Sequence, residues 1–222
     1  MIRLTTIPPP MNDFSKKCID WGSCGICAVA AKNSVLLYYT DMTNYNISLL
    51  CVVEFSMCNI FALKFHNDKP ILAISRDSGL LIYDCQEGKT KSGLTGEIPA
   101  LYQIEWCGDI LIGFSKPNLL FAIQIFPANN SSPVSNNKND RLSNTTNITP
   151  NTSLPRCQII WKFEMKGDFK GISIDPFSRF RILAYSSDNS FSIYQSDNSL
   201  TAPHFVLSSS LSSSILDAQF HP

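Results

Sequence analysis

Apolar and polar positions alternate in short blocks along this chain, most clearly in residues 60–84, IFALKFHNDKPILAISRDSGLLIYD. Residues 60–65 alternate between apolar and polar, and two compact apolar runs follow at residues 70–75 and 80–83. Apolar runs this short, bounded by Asp, Asn, Gly and Pro, predict β-strands and not helices. The sequence RDSG between the last two runs predicts a tight turn, in which Gly79 accepts a positive φ at no steric cost.

This three-strand phrase is repeated. Further copies occupy residues 17–41, 100–124 and 169–195, and another copy begins at Ser214. The copies follow one another about every 40–45 residues once a polar insertion of roughly 27 residues is set aside. Several short strands per unit at this period are typical of the blades of a WD-type β-propeller.

We therefore predict an all-β fold, an incomplete WD40-type β-propeller with about four blades and the first strand of a fifth. A polar lead-in covers residues 1–16, and the partial propeller covers residues 17–222. Residues 127–155 are rich in Asn, Ser, Thr and Pro, so they bury too little apolar surface to offset ordering entropy and we expect disorder. The predicted blades are residues 17–55, 60–96, 99–165 and 169–207, with the next starting at 214–222; their outer strands are 49–55, 89–94, 157–165 and 204–207, and 207–214 is a Ser-rich link.

Composition narrows the functional classes. The formal net charge is zero, so the sequence shows no electrostatic footprint for nucleic acid or an anionic membrane. Charged residues make up 16% of the chain, below the roughly 25% of average soluble domains, which suits many short buried strands. No apolar run reaches the length of about 18 residues that a spanning helix needs, and the N-terminal residues lack the apolar core of a secretory signal.

The cysteines predict a reducing compartment and no disulfide framework. They are scattered and lie mostly within or beside predicted strands, where cysteine behaves as a small buried hydrophobe. Cys24 and Cys27 have the CxxC spacing, but no second pair at zinc-finger spacing follows, so we expect no metal or redox site. The eight cysteines are Cys18, Cys24, Cys27, Cys51, Cys58, Cys85, Cys107 and Cys157.

No catalytic constellation is visible, and we predict no catalytic, cofactor-binding or metal-binding residue. Residues 75–79, SRDSG, resemble the start of a sialidase Asp-box, but Ile82 stands where the closing aromatic belongs. A Ser or Cys nucleophile needs an oriented His base, yet His66, His204 and His221 all fall at predicted turns or edges. There is no G-x-S-x-G sequence and no Gly-rich phosphate loop.

Two surface features have competing interpretations. Trp161 and Phe163 on the predicted outer strand of the third blade either anchor a partner or pack against the adjacent blade, and packing is favoured. The N-x-S/T sequons follow from an Asn-, Ser- and Thr-rich composition, so we expect no glycosylation without a secretory signal. They stand at Asn46, Asn129, Asn130, Asn144, Asn147 and Asn151.

Several segments, which follow one another in the same order across most of residues 17–195, resemble the N-terminal propeller of the WD repeat-containing protein 11 family. These segments are CIDWGSCGICAVAAKNSVLLYY with its D-W-G corner, DILIGFSKPNLLFAIQ followed by IIWKFEM, and the D-P-F corner at residues 175–177. The usual Gly-His and Trp-Asp dipeptides of WD repeats are absent, and Tyr83-Asp84 is the nearest to the latter.

The resemblance implies a non-enzymatic scaffold that works with protein partners in a multi-subunit complex. That complex captures vesicles at the trans-Golgi network, with links to ciliogenesis and Hedgehog signalling, so the implied location is cytoplasmic at those membranes, with a nuclear pool as a second location. No cofactor, small-molecule substrate or nucleic acid is implied. Alternatives are a WD-repeat subunit of a tRNA-modifying assembly such as Elongator, and a propeller enzyme. Because closed propellers usually have about six to eight blades, we also expect the chain to be a fragment or truncated gene model.

Overall fold

The computed structural model describes residues 18–31, 33–41, 43–44, 46–126, 156–175, 181–198, 201–215, 218 and 220. The predicted lead-in and the predicted disordered insertion lie outside these residues, as does His221. Every regular element in the described part of the chain is a β-strand. The predicted all-β class is therefore confirmed, and the alternation of apolar and polar residues in short runs is its cause.

The described residues contain sixteen strands in four antiparallel sheets, and each sheet takes four strands in chain order. We call these sheets blades 1 to 4, and in each the first strand is the inner edge and the fourth the outer edge. Blade 1 contains β1 (Ile19–Trp21), β2 (Ile26–Ala31), β3 (Ser34–Asp41) and β4 (Asn46–Glu54); blade 2 contains β5 (Ile60–Phe65), β6 (Ile71–Arg76), β7 (Gly79–Asp84) and β8 (Lys89–Thr95). Blade 3 contains β9 (Gln103–Cys107), β10 (Ile110–Ser115), β11 (Leu119–Phe126) and β12 (Arg156–Glu164); blade 4 contains β13 (Phe169–Ile174), β14 (Arg181–Ser186), β15 (Ser190–Gln195) and β16 (His204–Ser210).

The outer strands differ from the sequence expectation in their lengths. β4 begins three residues before the predicted strand, and β16 continues through Ser210 where a Ser-rich link was predicted from residue 207. In β16 the backbone of Ser208, Ser209 and Ser210 pairs with residues of β15. Serine composition suggests a loop, but an extended neighbouring strand supplies ladder hydrogen bonds that no local propensity reveals.

The predicted first strand of a fifth copy is described at only four positions, Ser214, Ile215, Ala218 and Phe220, and none of them is in a strand. Ile215 is buried, and the Phe220 N–H donates to the Ser173 hydroxyl of β13 at 3.3 Å. The chain thus returns to the inner strand of blade 4 after completing that blade. The rest of this prediction lies outside the described residues.

Among the described residues, three apolar clusters lie between successive blades and form most of the core, and a smaller fourth lies on the face of blade 1 turned away from blade 2. The cluster between blades 1 and 2 is built around Leu37, Leu63 and Leu72, which are almost completely buried. Equivalent clusters lie between blades 2 and 3 and between blades 3 and 4. The described contacts between the strands of different blades join neighbours along the chain, so the blades form an open propeller.

The same irregularity recurs in every blade, between the third and fourth strands. A β-bulge follows Leu37, Ile82, Ala122 and Ile193, each time near the middle of the third strand. The additional residue always belongs to the outer strand, where it has no partner opposite. A bulge bends its strand and increases the local twist, so its repetition gives the four blades one common shape. The additional residues are Leu50, Lys91, Ile160 and Val206.

Polar side chains join the inner strands of neighbouring blades to one another through backbone groups. The Asp20 carboxylate accepts a hydrogen bond from the Phe65 N–H at 2.6 Å, and the Trp106 indole donates to the carbonyl of Lys64 at 3.1 Å. The Gln103 amide accepts from the Ile172 N–H at 3.0 Å and donates to the carbonyl of the same residue. These bonds satisfy backbone groups that would otherwise be buried without partners between the sheets.

We predict that Gln103→Ala destabilises the chain by about 2–4 kcal/mol, since it leaves both the N–H and the carbonyl of Ile172 buried without their partner. Gln158→Ala is the matched control, because Gln158 is exposed on β12, and its effect is expected within about 0.5 kcal/mol of zero. Urea denaturation followed by tryptophan fluorescence measures both values. Equal effects of the two substitutions would contradict the role given to Gln103.

We predict that Gly79→Ala prevents normal folding, whereas Gly96→Ala is tolerated at a cost of about 1–2 kcal/mol. Both glycines have a positive φ, of 120° and 75°, so both substitutions strain the backbone. Only at Gly79 does the added Cβ meet the backbone, at 1.9 Å from the carbonyl oxygen of Leu94, while the Gly96 position is open. Soluble yield and thermal melting separate the two variants, and similar behaviour would argue against the close approach of β7 and β8.

Candidate protein-interaction surfaces

Three charged side chains from the inner strands of blades 1 to 3 form one linked group. The Lys64 ammonium lies 3.0 Å from Glu105 Oε2 and 3.7 Å from Asp20 Oδ1. Burial raises the pKa of Asp20, although the Phe65 N–H and Lys64 act against that change. Burial would lower the pKa of Lys64, but the two carboxylates outweigh it and the pKa is raised. Both carboxylates thus pair with one lysine, and the three charged side chains together link the inner strands of blades 1, 2 and 3.

The burial of Asp20 predicts a pH dependence of stability that can be measured. Because its pKa in the folded chain is raised, the folded chain binds this proton more tightly than the unfolded chain does. The wild type should therefore gain stability relative to Asp20→Asn as pH falls from neutrality toward about 4, the ordinary aspartate value. Asparagine keeps an oxygen for the Phe65 N–H, which makes it the matched variant. Urea denaturation across this range tests the sign, and a flat or reversed difference would contradict it.

His66, predicted at a turn, is a buried residue of the β5–β6 connection. Its ring lies 4.8 Å from that of Trp106, and its Nδ1 accepts from the Asp68 N–H at 3.0 Å. Its Nε2 lies 3.3 Å from Asp109 Oδ1, an ion-pair distance without hydrogen-bond geometry. The imidazole therefore packs at the junction of blades 2 and 3. His204 is exposed at the start of β16, opposite Gln195.

The CxxC pair does not converge on one site. Cys24 packs against the cluster between blades 1 and 2, whereas Cys27 belongs to the opposite face of blade 1 beside Val29 and Tyr38. All eight cysteines are free thiols, and burial raises the pKa of Cys85 to about 12. A buried thiol with a raised pKa is a poor nucleophile and a poor metal ligand. Among the residues that the structure describes, no three His, Cys, Asp or Glu side chains gather as a metal site.

The Asp-box-like turn makes structural hydrogen bonds. The buried Ser75 hydroxyl accepts from the Leu101 N–H at 3.0 Å, which joins blade 2 to blade 3. The Asp77 carboxylate accepts from the Asn59 N–H at 3.0 Å, which ties the turn to the strand that follows Asn59. Gly79 has the positive φ predicted for it. The polar groups of this turn are therefore used to hold strands together.

Trp161 and Phe163 pack in the cluster between blades 3 and 4, as the favoured interpretation predicted. The Phe163 ring lies 5.5 Å from that of Tyr194, in an edge-to-face arrangement. Neither is therefore a free anchor. Of the predicted sequons, Asn46 is exposed at the first residue of β4, and the other five lie outside the described residues.

Exposed apolar side chains collect instead on blade 1, on the face turned away from blade 2. Trp21 is opposite Cys27, Cys27 is opposite Tyr38, and Tyr38 is opposite Leu49, so the four share this face. The two outermost members are half exposed, Trp21 at 50% and Leu49 at 54%. Ile19, on the same face, is exposed to a similar extent. We call Ile19 and Trp21 the blade 1 patch. Leu49 and Val52 lie at the other edge of the same face, beyond Cys27, Val29 and Tyr38, which are buried.

The four outer strands differ strongly in chemistry although they occupy equivalent places. On β8, Lys89 and Lys91 are paired with Glu87, at 2.7 and 2.5 Å, and β12 carries Lys162 and Glu164. β4 reads NISLLCVVE and has no charge before its last residue, while β16 reads HFVLSSS. Every residue of β16 is exposed, and so are Ile47, Leu49, Leu50 and Val52 of β4.

Sequence reasoning identified these outer strands but missed their exposure. The missing charge on residues 46–53 was the available signal, since edge strands that must stay unpaired usually carry lysine or proline. Predicting exposure also requires knowing which face of each blade another blade covers. That depends on packing between sheets and not on the pattern within one strand.

Comparison with known proteins supports the fold. No protein-family model matches the sequence, and no curated protein matches it significantly. A WD40 β-propeller chain in the structure titled "Crystal Structure of Mitotic Checkpoint Complex" superposes with a TM-score of 0.60 at 15% sequence identity. The match covers 89% of this chain and 51% of that chain, so this chain spans about half the length of its neighbour. This chain therefore has a WD40-type propeller fold, and at 15% identity the likeness shows the fold alone.

The described part of the chain contains no helix that is long and apolar enough to cross a membrane.

Proposed function

We propose that this chain is a non-enzymatic scaffold for protein–protein interactions and that the blade 1 patch is a partner-binding surface. The observation that carries the proposal is the half-exposed Trp21, which stands beside Ile19 on an apolar face. Tryptophan is among the residues that most often dominate protein interfaces, and contiguous exposed apolar surface marks interaction sites. The linked group of Asp20, Lys64 and Glu105 supports a non-enzymatic role, since all three side chains are tied into the joints between blades.

The finer proposal is a scaffold in a multi-subunit complex that captures vesicles at the trans-Golgi network. It is supported by the D-W-G corner and the ordered segments that resemble the WD repeat-containing protein 11 family. In the structure the Asp20 carboxylate of this corner accepts a hydrogen bond from the Phe65 N–H of blade 2, and the Trp21 side chain faces away from blade 2. The same resemblance supports a cytoplasmic location at Golgi and vesicle membranes, with roles in ciliogenesis and Hedgehog signalling.

The alternative is a WD-repeat subunit of a tRNA-modifying assembly. A basic stripe on the surface would favour it, because such a stripe attracts the phosphates of RNA. Several basic side chains in the described part of the chain are instead paired with carboxylates. Lys64 pairs with Asp20 and Glu105, Lys69 with Asp109, and Arg181 with Asp175. Paired lysines and arginines lower the potential available to phosphates, so the observations favour the first proposal.

Proximity labelling tests the proposed function. The full chain, fused to a biotin ligase and produced in cells, should label trans-Golgi and vesicle proteins, and Trp21→Ser should reduce that labelling by about tenfold or more. Met57→Ser is the matched control, because Met57 is a fully exposed apolar residue of the loop between β4 and β5 and is not a member of the patch. Neighbours confined to tRNA-modifying proteins would favour the alternative. Labelling that Trp21→Ser leaves unchanged would remove the patch from the proposal.

A further inference from the structure

We propose that the outer edge of β4 binds an extended peptide segment of a partner protein, which adds to blade 1 as a fifth strand. The inference rests on the proposed interaction function and names the class of partner for a second surface. In the described part of the chain no strand pairs with this edge of β4. A free edge presents a row of backbone N–H and carbonyl groups, and an extended backbone is the chemistry that matches them.

The comparison between the four equivalent outer strands favours β4. Lysine is absent from β4 and β16, and β4 is apolar through most of its length whereas β16 ends in three serines. Each of the four strands has the same bulge, and on β8 the additional residue is Lys91, whose ammonium is held by Glu87 and Asp84. On β4 the equivalent residue is Leu50, which is 51% exposed. A lysine at an edge opposes pairing with a further strand, because its charge would be desolvated in the new ladder. β4 lacks this protection along residues 46–53.

The side chains of β4 define what the partner segment carries. Ile47, Leu49 and Val52 stand on the outward face, so a strand added beside them places every second side chain next to apolar surface. No charge on β4 precedes Glu54 to attract a charged partner. The segment is therefore uncharged, of about five or six residues, the usual strand length, with apolar side chains at alternate positions.

A flexible segment fits this edge better than β4 of a second copy. The bulge at Leu50 interrupts the regular spacing of backbone groups near the middle of the strand. Two rigid copies paired about a twofold axis would bring two such interruptions into one ladder. A peptide that orders on binding adjusts its own backbone to a single bulge, which is why we assign the edge to an extended segment.

The test uses a phage-displayed library of random peptides of about eight residues, selected on the full 222-residue chain. Enriched peptides should alternate apolar and polar residues, and one is then synthesised and its affinity measured by fluorescence anisotropy. Leu50→Lys copies the edge protection of β8 and should weaken binding by about tenfold or more. Val206→Lys is the matched control, since Val206 is the exposed bulge residue of β16, and should change affinity by less than about twofold.

A second arm separates strand addition from packing on the face of the blade. The N–H groups of alternate residues in a strand point to the same side, so the peptide is methylated on each alternate set of backbone nitrogens in turn. If a strand is added, methylating the set that faces β4 removes the ladder hydrogen bonds and should abolish binding. Binding that neither methylation weakens would overturn the proposal, as would failure to enrich peptides beyond a parallel selection on the Leu50→Lys chain. Light scattering could show that the chain is a dimer and that Leu50→Lys makes it a monomer. That result would assign the edge to a second copy and would also overturn the proposal.

The outcome is separable from that of the proposed function. Proximity labelling that falls with Trp21→Ser but is unchanged by Leu50→Lys would leave the scaffold role standing while the inference about β4 fails. Thermal melting of each variant establishes that any loss of binding is not a loss of fold. Leu50→Lys is expected to fold, because blade 2 already holds a lysine at the equivalent bulge.

Discussion

The packing of each blade against the next holds the whole structure together. A single four-stranded sheet has two faces, and the middle blades are apolar on both, so neither can be stable alone. The three buried clusters supply the non-directional part of the stabilisation, which scales with the apolar area removed from water. The hydrogen bonds of Asp20, Gln103 and Trp106 supply direction, because each must meet one backbone group of the neighbouring blade.

This division of work gives structural roles to the titratable groups that the structure describes between the blades. A carboxylate that accepts from a backbone N–H and faces a lysine, as Asp20 does, is held in one geometry by its partners. The His66 ring packs against that of Trp106 at a tilt of 58°, and burial raises the pKa of Cys85 to about 12. Groups used to fix the angle between blades are not available to bind or move a proton on a substrate.

The repeated bulge connects the fold to its interaction surfaces. The additional residue always lies on the outer strand. At this position the blades can therefore differ in side-chain chemistry while they share the same backbone geometry. Lys91 places a charge at the edge of blade 2, and Ile160 packs against the cluster between blades 3 and 4. Leu50 and Val206 are exposed apolar groups at the same place on blades 1 and 4. One backbone feature thus separates protected edges from edges suited to a partner.

The class of the fold can be predicted from the sequence alone, because strand periodicity and turn chemistry are local properties. The strand Ile60–Phe65 and the positive φ at Gly79 follow from neighbours in the chain, and so does the count of four blades. Three features depend on tertiary structure. They are the repeated bulge, the extension of β16 through Ser210, and the contrast between the exposed Trp21 and the buried Trp106. The two tryptophans stand at or next to the ends of equivalent strands, yet Trp106 packs against His66 of the preceding blade while Trp21 faces away from blade 2. Burial is a property of the pair of sheets, and the pattern within one strand cannot contain it.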